Sequence, residues 1–175
     1  MRISINSSRG FTLIEISVSI AAIGILCVLG LNAYRILMTQ GTDPLYSMRA
    51  AELGQSYLEE MLGKRFDENS PLGNSLRCNA PSRPTCSATL GPDAGETTHI
   101  TFDDFDDYNN FSDSPPTDQS GAVRSNYTGF SVTATVIYAG SEIGLPNNTD
   151  AKRADVTVKD PSGSKYVFTA YKANF

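Results

Sequence analysis

The sequence predicts an α+β fold: a long N-terminal helix, kinked or broken, whose first half crosses a membrane, packed on a head with an antiparallel β-sheet. Three observations predict it. Phe11 to Leu31 is an apolar run with one carboxylate, Glu15. Leu45 to Leu62 repeats apolar residues at helical spacing. After Tyr127 the chain turns to alternating segments rich in β-branched residues.

The N-terminal run is the first element. A helix rises about 1.5 Å per residue, so about 20 apolar residues span a bilayer. Phe11 to Leu31 meets that length and holds no Pro, and its Gly24 and Gly30 are tolerable in a membrane helix. A secretory signal would have a shorter, uncharged core ending in small residues; Ala21-Ala22 resembles such an end, but the apolar residues continue past it. Arg2 and Arg9 lie before the run and set that end in the cytoplasm.

Glu15 needs a partner, because a carboxylate at depth in a membrane helix costs about 2.5 kcal/mol or more. No Lys or Arg lies one turn away inside the run. An α-amine created by cutting the chain before Phe11, on a neighbouring copy of such a helix, would serve.

Gly10-Phe11-Thr12-Leu13-Ile14-Glu15, a short basic leader before it and a long apolar helix after it resemble the signature of type IV prepilins and type II secretion pseudopilins. The resemblance implies cleavage between Gly10 and Phe11 by a prepilin peptidase, N-methylation of Phe11, and pairing of Glu15 with a neighbouring subunit's N-terminus. It divides the chain into a leader (1–10), a transmembrane and assembly helix (11–40), an amphipathic helix of the head (41–64) and a β-rich globular head (65–175). The location it implies is the inner membrane, single-pass, with a cytoplasmic N-terminus and periplasmic head, and then the pilus or cell surface. The expected partners are other pilins of the same filament, the prepilin peptidase, the inner-membrane assembly platform, and membrane lipid before assembly.

Composition narrows the alternatives. The 175 residues suit one domain plus an anchor, with a formal net charge of −5. Without Met1–Gly10, 12 basic side chains face 19 acidic ones, so no nucleic-acid partner is expected. One His and no Trp leave little material for imidazole catalysis or a multi-His metal site, and no enzyme is expected.

Asn32 to Gln40 continues the first helix, and Gly41-Thr42-Asp43-Pro44 interrupts it, as a kink or a brief break. Asp43 can cap a new helix with Pro44 at its first position. Leu45, Met48, Ala51, Leu58, Met61 and Leu62 form the expected apolar stripe, with Leu53 and Tyr57 as an i, i+4 pair. Glu52, Gln55, Glu59 and Glu60 lie off it. Gly63-Lys64 supplies the stop and a basic residue near the C-terminal dipole.

From Arg65 to Thr98 composition is irregular, with turns at 66–69 and 70–73 and three prolines, Pro81, Pro84 and Pro92. Cys78 and Cys86 fall here. In an oxidising periplasm they form a disulfide worth about 2 kcal/mol; free thiols or a metal are the alternatives, though further zinc-type ligands are lacking. Cys27, inside the apolar run, reads as a small packing residue.

Thr98 to Phe102 reads as a short strand. It runs into Asp103-Asp104-Phe105-Asp106-Asp107-Tyr108, then Asp113 and Asp118. Asp103, Asp104, Asp106 and Asp107 could bind calcium, as a head loop of some related pseudopilins does. The alternative is an acidic, solvated loop anchored by Phe105 and Tyr108. The spacing is not that of an EF-hand, and no cofactor is otherwise expected. Phe130 to Tyr138, Arg153 to Lys159 and Tyr166 to Tyr171 alternate as strands, the last two joined by the turn Asp160 to Ser164. They predict an antiparallel meander with one face on the helix from Leu45 to Leu62.

A closer resemblance lies in Arg49 to Gln55, Gly63 to Asn69, Asp103 to Tyr108 and the Asp160-Pro161-Ser162-Gly163 turn. These resemble minor pilins of mannose-sensitive haemagglutinin (MSHA) pili and imply a subunit that helps assemble a filament for surface attachment. Two other classes remain: a minor pseudopilin of type II secretion, and a membrane-anchored periplasmic domain that binds calcium or a ligand.

Overall fold

A computed structural model describes residues 12–40, 43–71 and 77–174, with side chains left aside at 36–40 and 43. The chain divides into two units, Met1–Pro44 and Leu45–Phe175.

The first unit is helix α1, Leu13–Gln40. Its stretch Leu13–Arg35 is long and apolar enough to cross a membrane, with a mean hydropathy of 2.4. The predicted leader and the residues Gly41 and Thr42 of the predicted interruption lie outside the described residues.

The head begins with helix α2, Asp43–Gly63, with Pro44 in its first turn, where its missing N–H loses no helical bond. The buried face is Ala50, Leu53, Gly54, Tyr57 and Met61. This corrects the predicted stripe. Leu45 and Met48 are 50% and 72% exposed, Ala51 and Leu62 are exposed, and Leu58 is half-buried. Small residues carry part of the true contact face, so its apolar weight in the sequence is low. Glu60, expected off the stripe, is buried. The helix ends at Gly63, but Lys64 Nζ donates to Phe102 O (2.8 Å). It is Lys172 that reaches the helix C-terminus, donating to the carbonyls of Leu62 (2.7 Å) and Lys64.

Among the described residues the sheet has four antiparallel strands in the order β1-β2-β3-β4: Phe111–Asp113, Ser131–Tyr138, Ala151–Lys159 and Lys165–Ala173. The register pairs Ala134 with Val156, and Val156 with Phe168. The expected meander is therefore present, as β2 to β4, with the turn at Asp160–Ser164 closed by Asp160 N to Ser164 O (3.0 Å). β1 was not predicted; three residues are too few to show a period.

Thr98–Phe102 is a turn rather than a strand. Thr101 N and Oγ1 both donate to Thr98 O, at 2.9 and 2.7 Å, and a threonine that bonds back to the chain competes with a ladder. The core lies between α2 and the inward face of the sheet. Leu53, Tyr57 and Met61 share one buried cluster with Val132, Val136, Val156 and Val158; Phe130 packs on Tyr46 near the start of α2, and Tyr108 bonds Glu60 near its end.

Candidate functional site

The N-terminal segment is the first candidate. Thr12 caps α1: its carbonyl accepts from Glu15 N (3.0 Å) and Ile16 N (3.2 Å), and its Oγ1 lies 3.4 Å from Glu15 N. Glu15 thus sits in the first turn, where the helix dipole favours a carboxylate. Ser17 Oγ donates to Leu13 O (2.9 Å) and Ser19 Oγ to Glu15 O (2.7 Å). Both hydroxyls are satisfied within the helix, as an apolar surround requires. Large apolar side chains are exposed on every side of α1, from Leu13 and Ile14 to Leu29 and Leu31, and Cys27 is exposed among them. A helix apolar all round needs lipid or other helices against it. Glu15 is the one carboxylate on that surface. Gly10 and Phe11 lie outside the described residues.

In the head, Cys78 and Cys86 are joined in a disulfide. Asp67 lies beside it.

Of the four candidate calcium ligands, Asp103 comes close to Asp104 and to Asp107, while Asp106 meets Lys152 instead. Asp103 pairs with Arg65, whose Nη2 also meets Glu68 Oε2 (2.6 Å). Asp104 Oδ1 accepts from the N–H groups of Asp106 (2.8 Å) and Asp107 (3.3 Å). Asp107 Oδ2 accepts from those of Asp103 and Asp104, both at 2.9 Å. Asp106 meets Lys152 Nζ. Asp104, Asp106 and Asp107 are buried, so the solvated-loop expectation is corrected for these three. Local side-chain-to-backbone bonds fold the segment into a compact turn. Burial first, then the charge and hydrogen bond of Asp106, push the Asp104 carboxyl up to about 8 against the pull of Lys152. Burial, and the nearby Glu96 carboxylate, push Asp107 up to about 7 against its two backbone bonds. Two triplets of carboxylates, Glu68–Asp103–Asp104 and Glu96–Asp103–Asp107, place one oxygen per residue within 4.8 Å and could hold a cation.

Sequence reasoning missed two buried polar clusters. Lys152 Nζ is fully buried, donating to Phe66 O (2.7 Å), Asp67 Oδ2 (2.8 Å) and Asp106 Oδ1. The alternation could have found it. Lys152, Ala154, Val156 and Val158 share the inward face, but starting the strand at Arg153 left Lys152 in a loop. The second cluster joins Glu60 Oε1 to Tyr108 OH (2.7 Å) and His99 Nδ1 (2.9 Å), with His99 Nε2 2.8 Å from Thr117 Oγ1. His99 also lines an open cleft of about 810 Å³ beside β1, with Leu90, Pro92, Phe102, Asn109 and Phe111.

The family model described as the prokaryotic N-terminal methylation motif matches residues 5–31. The match covers the segment that contains Gly10, Phe11, Glu15 and most of the apolar helix. No curated protein and no solved structure matches the chain.

Proposed function

We propose that this chain is a minor pilin, a structural subunit of a type IV filament of the MSHA kind, close to its D-type minor pilin, and not an enzyme. The observation that carries this reading is the methylation-motif segment, 5–31, around a lone carboxylate in the first turn of an all-apolar helix. A prepilin peptidase cuts after Gly10 and the new N-terminus at Phe11 is methylated. α1 holds the subunit in the inner membrane, with the head in the periplasm, until an assembly platform moves it into the filament. There α1 packs on the helices of neighbouring pilins, and Glu15 pairs with a neighbour's terminal amine. Charge pairing strengthens in a low dielectric and penalises an unpaired copy, so it sets the axial register of docking.

The test is mass spectrometry and immunolabelling of filaments sheared from cells. A peptide beginning at N-methyl-Phe11, at low abundance in the filaments, is the expected result. Processed protein that stays in the membrane while filaments form without it refutes the pilin reading in favour of a pseudopilin. Glu15→Ala is expected to leave cleavage intact and to cut incorporation at least tenfold; normal incorporation removes the pairing argument.

A further inference from the structure

The Lys152 cluster brings an amine and a carboxyl group together inside the head, away from water. Lys152 stands on the inward face of β3, 0% exposed, with its Nζ over the rings of Phe66 (4.5 Å) and Tyr138 (5.4 Å). Its two acidic neighbours differ in kind. Asp67 accepts from Asn69 N (3.1 Å), Ser87 N (2.9 Å) and Ser87 Oγ (3.1 Å) besides Lys152. Burial pushes its carboxyl up, but the bond and charge of Lys152 and these N–H groups outweigh it and hold Asp67 below the usual range, an anion. Asp106 instead has Lys152 on one oxygen and shares a side-chain hydrogen bond with Asp104, whose raised carboxyl keeps its proton at neutral pH. A neutral acid therefore stands on the carboxyl group that faces the amine, and a fixed anion stands on the amine's other side.

We propose that Lys152 and Asp106 condense into an intramolecular amide, a covalent isopeptide cross-link in the head, with Asp67 as the base and Asp104 as the acid. The reaction starts from the Lys152 ammonium and the Asp106 carboxylate. Asp67 takes one proton from Nζ. The freed lone pair attacks Asp106 Cγ, forming the C–N bond as the C–O π pair moves onto oxygen. One C–O bond then breaks. The departing oxygen takes the proton of Asp104 and the second proton of the nitrogen, and leaves as water. Asp67 returns its proton to Asp104, so both end as they began. One positive and one negative charge are removed and no oxidant or cofactor is consumed.

Two effects favour the step. Well-oriented intramolecular pairs react as if at effective concentrations on the order of 10⁵–10⁸ M. An enclosed ion pair is costly to keep, and condensation removes both charges. The bond would tie β3 to the turn before β1, closing a loop between positions 46 residues apart. It holds for the head whatever machine the chain serves, and does not rest on the pilin reading.

The test is the mass of the full-length chain, purified in detergent and reduced, with a tryptic peptide map. The expected chain is lighter by one water than its processed sequence, and a branched peptide joins Lys152 to Asp106. Trypsin cuts after Lys152 only while its amine is free. A full mass with ordinary cleavage after Lys152 overturns the proposal. The wild-type map decides this, so a Lys152→Arg chain that fails to fold does not blunt it; if that chain folds, its mass shows no loss of water. Asp104→Asn is expected to leave most of the chain uncross-linked, and complete cross-linking in that variant overturns the role of Asp104.

Discussion

Gly54 faces Phe168 across the contact between α2 and β4. A Cβ at Gly54 would lie 2.2 Å from Phe168 Cδ2, 2.5 Å from Cε2 and 2.9 Å from Cγ, against the 3.4 Å or more of ordinary contact. In Gly54→Ala the half-buried ring must move by about 1 Å, which disturbs its packing against the core. Overpacking of this kind costs about 1–3 kcal/mol. Alanine returns about 1 kcal/mol of helix propensity relative to glycine. The net expectation is a loss of up to about 2 kcal/mol. For a head of about 130 residues, 1 kcal/mol moves the melting temperature by about 4 °C, so Tm falls by up to about 8 °C. The assay is near-UV circular dichroism of the full chain in detergent during a thermal ramp. Phe168→Leu should make the Gly54→Ala change neutral or favourable, since the two are in contact and not additive. Gly63→Ala is the control, because nothing lies within 4 Å of a Cβ there. A Tm for Gly54→Ala clearly above the wild type, as helix propensity alone would give, would refute the seating of Phe168 on α2.

Three further predictions use the same preparation. Asp104 and Asp107 bind their protons more tightly folded than unfolded, so the head is expected to lose stability as pH rises from about 4 through 7 and 8; Asp104→Asn should flatten Tm against pH over that range, and an unchanged slope would contradict it. Asp67 works with the opposite sign while Lys152 keeps its charge: its carboxylate is favoured in the fold, so its stabilisation is lost as pH falls through and below about 4, and in a head not cross-linked at Lys152 Asp67→Asn should weaken the acid limb of unfolding. Reducing the Cys78–Cys86 disulfide opens a short loop and should cost about 2–3 kcal/mol by the chain-entropy relation, read as a shift of Tm with dithiothreitol; no shift would show that the loop is held by its other bonds.

Much of the fold was legible because its signals are local. The alternation of β2 to β4, the turn at Asp160–Ser164 and the stop at Gly63 each depend on neighbours within a few residues. The errors came where meaning depends on distant contacts. On α2, Leu45 and Met48 carried the hydropathy, but Gly54 and Ala50 carry the close approach, and a small residue gives no hydrophobic signal. The string of aspartates read as surface, because charge in sequence says nothing of a cation 46 residues away.

The sequence by itself determined the apolar segment, its single carboxylate at Glu15, the class of the head and the cysteines available for a disulfide. Each follows from length, period or composition, which act along the chain. Tertiary structure decided the rest. It buried Lys152 between Asp106 and Asp67, the second 85 residues away, and set Glu60 against His99, 39 residues on. A buried charge is tolerable only when folding delivers its partner. That partner is fixed by where the sheet and the loops meet in space, which no local pattern records.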